Sequence, residues 1–240
     1  MSESTQGEAT LLGKTVPYEV RRSKEATEPR IDVDIHGVRV VVPEGSSADP
    51  ETLLAENGAW VVEKQSKYER FREQVPDREF AVGEAFPYRG EPHEIVVEKR
   101  PTSRVVDREF RLAKHHVEQT SIKRALETLY RRKAREWFKD RADHFAEEMG
   151  VEYEQIDIRN QRTKWGSCST SGTLGLNWRL MMAPEEVAEY IVVHELAHLR
   201  EQNHTEEYWS LVAVHDPEYE SHAAWLESNS ARLVFSQEDL

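Results

Sequence analysis

Apolar residues recur along this chain with two different periods, and the switches between them outline its elements. In residues 16–42 they alternate: Tyr18 and Val20, then Ile31, Val33 and Ile35, a His36-Gly37 turn, then Val38, Val40 and Val42 ahead of Pro43. Alternation turns one face of each strand inward, so this stretch predicts a hairpin. Residues 50–76 shift to helical spacing, with Leu53, Leu54, Trp60, Val61 and Tyr68 on the apolar side between two prolines. Gly83, Pro87 and Gly90 punctuate another pair of short strands, of which Glu94-Ile95-Val96-Val97-Glu98 is the clearest. A long amphipathic helix follows, carried by Ile122, Leu126, Leu129, Trp137, Phe145 and Met149. Thr120 or Ser121 is its N-cap and Gly150 its C-terminal glycine.

Residues 153–159, 164–168 and 173–178 then read as strands, the last two joined by a Ser169-Thr170-Ser171-Gly172 turn. A further helix opens at Pro184, which suits a first turn. Glu185 and Glu186 complement its N-terminal end, and Val187, Ile191, His194 and His198 recur at core-facing spacing. The order predicts an α+β fold of helix, antiparallel sheet and helix in residues 111–240. A β-rich part precedes it in 14–110, and 1–13 reads as a disordered tail.

Composition narrows the setting. At 240 residues the chain can bury a good core in one large or two small domains. No run of eighteen apolar residues exists, the N-terminus lacks a basic start and an apolar segment, and Cys168 is the single cysteine. A cytoplasmic, reducing location is therefore expected, with no membrane association. The formal net charge of −13 opposes non-specific binding to nucleic acid or anionic membrane. The long helix is locally basic, with Lys123, Arg124, Arg131, Arg132, Lys133, Arg135, Lys139 and Arg141. A solvated face pairing with nearby Glu accounts for that run, and docking of nucleic acid is the alternative.

The chemistry concentrates in His194-Glu195-Leu196-Ala197-His198, followed six residues later by His204. Residues four apart share a helix face, so His194 and His198 can hold one zinc ion at about 2.0–2.1 Å. Glu195 flanks the ion without ligating it and can take a proton from water activated there. His204 completes the set if the chain leaves the helix after Leu199 and doubles back, a reversal for which Asn203 tolerates the left-handed conformation. The spacing is that of metzincins, but Glu201 stands where they have Gly. A distant Glu in place of His204, and His215 or His222 as ligands, are the alternatives. Arg179 and Asn177 are candidates for stabilising an oxyanion. Residues 173–177 are the candidate edge strand for an extended peptide. Trp165, Gly166 and Cys168 read as packing under the metal helix, and Tyr208 and Trp209 as core aromatics. A competing enzyme class is a metal-dependent phosphohydrolase acting on nucleotides, for which Arg159, Arg162, Lys164 and Arg179 could hold phosphates.

Three blocks now acquire a common meaning: Arg162-Thr163-Lys164-Trp165-Gly166-Ser167-Cys168-Ser169, then Leu176-Asn177-Trp178-Arg179-Leu180 with Ala183-Pro184, then His194 to Leu199 continuing through Asn203-His204 to Tyr208-Trp209. Together they resemble the YgjP-like metallopeptidases, relatives of the SprT-like and gluzincin-type zinc peptidases. Weaker similarity runs from Tyr18 to Leu226. Lys164 stands where the family has Arg, and Tyr208 where it has Phe. The resemblance implies a zincin-like fold, zinc on His194, His198 and His204, Glu195 as catalytic acid/base, and an unfolded or extended polypeptide as substrate.

Overall fold

A computed structural model describes residues 4–161 and 164–239. Its contacts divide into two compact units, one reaching to Pro76 and the other running from Asp77 to Asp239. In the first unit, strands β1 (Ser4–Leu11), β2 (Lys14–Ser23), β3 (Arg30–Asp34) and β4 (Gly37–Pro43) form a sheet of order β1-β2-β4-β3. The β3–β4 hairpin is the one its alternation predicts. Ser4–Leu11 is paired along its length with β2, so these residues are not a disordered tail. Its inward positions are Gly7, Ala9 and Leu11. A Cβ at Gly7 would stand 2.6 Å from the Tyr18 ring, so the strand needs small residues there and carries little apolar signal.

The helix expected over 50–76 is two: α1 (Pro50–Glu56), capped by Asp49, and α2 (Gly58–Gln74). The break falls at Asn57-Gly58. The Asn57 side chain donates to the Leu53 carbonyl at 2.9 Å, competing with the helical backbone, and glycine propagates a helix poorly. Leu54 and Val61 are fully buried, while Trp60 lies 42% exposed.

In the second unit, β5 (Ala85–Tyr88), β6 (Glu91–Glu98), β7 (Arg104–Val106) and β8 (Glu109–Ala113) form a sheet of order β5-β6-β8-β7. After the short α3 (Lys114–Gln119) comes α4 (Ile122–Met149), the central helix. The Ser121 hydroxyl accepts the Arg124 amide at 3.1 Å, and Gly150 closes the helix in the left-handed conformation. Its buried stripe, including Leu126, Leu129, Tyr130, Phe138 and Phe145, anchors a core shared with both of the unit's sheets. Several of its cations are paired: Arg131 with Glu127, Lys133 with Glu136, Lys139 with Asp143, Arg141 with Asp140 and Glu189.

Strands β9 (Gln155–Arg159), β10 (Gly166–Cys168) and β11 (Thr173–Asn177) make a sheet of order β10-β11-β9. It is mixed, not antiparallel as the strand order suggested, because β9 and β11 run parallel. β11 lies between its two predecessors, antiparallel to β10 and parallel to β9, which leaves β10 at a margin of the sheet. A 3-10 turn (Trp178–Met182) leads to α5 (Glu185–Ala197), α6 (Glu206–His215) and α7 (Tyr219–Asn229). The class is mixed α+β. Among the described residues, no helix is long and apolar enough to cross a membrane.

Candidate metal centre

Helix α5 is apolar on almost every side, with Val187, Ile191, Val192, Val193 and Leu196 buried, so its last turn is held rigidly in the core. His194 and His198 project from that turn one above the other, ring centroids 5.1 Å apart. After His198 the chain tightens, the amides of Leu199, Arg200 and Glu201 bonding back to Leu196 and Ala197. Asn203 does not take the left-handed conformation suggested for it. The reversal is made instead by the Asn203 amide on the Glu201 carboxylate and the Thr205 amide on the Asn203 carbonyl. The Thr205 hydroxyl then caps α6.

His204 thereby returns to the end of α5. One ligand nitrogen from each of His194, His198 and His204 lies within 4.8 Å of the others. Nε2 of His194 and Nε2 of His204 stand 3.3 Å apart. Two nitrogens on one tetrahedral ion at 2.0–2.1 Å would be separated by about 3.3 Å, so this pair fits a divalent metal without rearrangement. Burial and the neighbouring imidazoles pull His194 down to about 4, and burial lowers His198 as well, keeping both lone pairs available at neutral pH.

Glu195 points into the same cleft, of about 380 Å³, which is also lined by Lys164, Ser167, Cys168, Thr170 and Gln202. Only 5% of Glu195 is exposed, and burial pushes its carboxyl up to about 7 against the opposing pull of Lys164. Gly166 makes room for it: a Cβ there would stand 2.2 Å from Glu195 Oε1. The glycine read as packing therefore backs the acidic side chain. Cys168 lines the cleft with its thiol raised by burial and by Glu195, outside the trio of imidazoles. The ring of Tyr208 packs against all three imidazoles, at centroid distances of 5.4, 4.7 and 4.8 Å, and its hydroxyl donates to the His194 carbonyl at 2.8 Å.

The remaining candidates lie elsewhere. His215 faces Glu148 at 3.8 Å and His222 bonds Asp216 at 2.9 Å. Asn177 is fully buried and serves the backbone, accepting from the Arg179 amide and donating to the Gln161 and Lys164 carbonyls. Arg179 is buried over the Trp178 ring and 3.8 Å from Asp239. Arg159 is bound to Asp157 at 2.5 Å, and Arg162 lies outside the described residues. Of the cations considered for phosphate, Lys164 is the described one that lines the cleft.

Residues 27–229 match the family model described as YgjP-like, metallopeptidase domain. No curated protein matches the chain. Two crystal structures of metallopeptidase zymogens are similar to part of it. Abylysin of Pyrococcus abyssi is 25% identical over 40% of this chain and 96% of its own, at a TM-score of 0.37. Jannalysin of Methanocaldococcus jannaschii is 23% identical over 39% of this chain and 96% of its own, at 0.36.

Proposed function

Because the chain belongs to the YgjP-like metallopeptidase family, we propose that it is a zinc-dependent endopeptidase acting on unfolded or extended polypeptide. One observation carries the reading: three imidazoles converge in a cleft beside a buried carboxyl that no described residue hydrogen-bonds. An all-imidazole set suits zinc and leaves a fourth position open, the mark of a catalytic site. When bound, the ion polarises the scissile carbonyl and makes water acidic enough to react near neutral pH.

The protein's own groups do the rest. Glu195 accepts the proton of the attacking water at a carboxylate oxygen and returns it to the leaving amine. The cleft wall at Gly166 holds its carboxylate in place. β10 is one of the two outer strands of its sheet and borders the cleft, so an extended peptide can dock along it by backbone hydrogen bonds. This role passes to β10 from residues 173–177, which form the central strand β11. A backbone-reading site selects weakly by sequence. The proton-transfer assignment predicts that Glu195→Gln keeps stoichiometric metal and the fold while turnover on an unfolded polypeptide falls about 10²–10⁴-fold. A rate within a few-fold of the parent would remove Glu195 from the mechanism.

A further inference from the structure

Imidazoles that hold metal usually donate their second ring nitrogen to a carbonyl or carboxylate, and that bond fixes the ring. His198 has such a partner in the Glu201 carbonyl at 3.2 Å. Buried Nδ1 of His194 has none, but its ring rides on the rigid α5. His204 has neither support. It is exposed, it sits on the connection between α5 and α6, and its one polar contact among the described residues is the facing nitrogen of His194.

Stacking surrounds it instead. The His204 ring lies on the Trp209 indole with centroids 5.4 Å and planes 21° apart, and Trp209 stacks in turn on Tyr219 at 5.2 Å and 18°. Two parallel contacts in series bring α6 and the first turn of α7 to bear on one loop imidazole. We propose that the Trp209–Tyr219 stack is the positioning device for His204, standing in for the hydrogen bond that orients a metal-holding imidazole. The inference rests on the reading that His204 contributes to the metal centre. Trp209 and Tyr219 are each only half-buried, so shortening either leaves the core intact. Tyr208 is fully buried and bonds α5 directly, which makes it a poorer probe.

The test measures zinc affinity of the full chain by competition with a chromophoric chelator, beside the visible absorption of the cobalt(II)-loaded protein, which reports the ligand arrangement. His204→Ala should weaken zinc strongly. Trp209→Leu should weaken it about 10–100-fold and alter the cobalt bands, Trp209→Phe should restore both to near the parent, and Tyr219→Leu should fall between. Circular dichroism of the metal-free variants checks their fold, and if Trp209→Leu does not fold, Tyr219→Leu decides. Loss of affinity in His204→Ala with parental affinity and spectrum in Trp209→Leu and Tyr219→Leu would overturn the stacking role and leave the trio standing. Parental affinity in His204→Ala would remove the reading beneath it.

Discussion

At the scale of single residues the site depends on what is absent as well as on what is present. Gly166 has no side chain, and Glu195 occupies the space a methyl would need. Gly166→Ala must therefore push the carboxylate aside, since the neighbouring backbone belongs to a paired strand. A displacement of 1 Å at a catalytic group costs about 10²-fold, so turnover should drop by that order while bound metal, measured by elemental analysis, stays stoichiometric. Unchanged turnover would mean that the carboxylate position is immaterial. The motif residues were legible because helical spacing alone puts His194 and His198 together. The roles of Gly166 and Trp209 were not, because a contact between β10 and α5 or between α6 and a loop has no periodicity to betray it.

Elements were read best where local chemistry agreed with burial. Ser121 and Gly150 bound α4 in sequence and in structure, and the stripe between them is the core of its unit. Ser121→Ala should then lower stability by about 1 kcal/mol, seen as a lower denaturant midpoint with the slope unchanged, and leave zinc binding intact. An unmoved midpoint would deny the cap its role. Reading failed where two weak signals competed. The Asn57-Gly58 break hid inside a helical apolar pattern. Ser4–Leu11 concealed a strand because its inward face is built of Gly7, Ala9 and Leu11. The parallel pairing of β9 with β11 comes from β11 lying between β9 and β10, an order that strand propensity does not encode.

At the scale of the whole molecule, the candidate chemistry is confined to one unit. The imidazole trio, Glu195 and the cleft all lie between Asp77 and Asp239, in the larger of the two units, while the smaller one closes its own core around Val16, Val40, Leu54 and Val61. The boundary at Pro76 precedes the one expected near residue 110, because β5 to β8 share the core of α4. With Arg131, Lys133 and Lys139 of α4 engaged by neighbouring carboxylates and a net charge of −13, the charge distribution opposes binding of long nucleic acid. The most direct measurement follows cleavage of an unfolded polypeptide by mass spectrometry, with the protein stripped by chelator, restored with zinc, and set beside a panel of nucleoside triphosphates. Slow cutting at many sequences is predicted, lost on stripping and regained with zinc, with nucleotides untouched. Nucleotide hydrolysis by the restored protein, with no polypeptide cut in any state, would contradict the account.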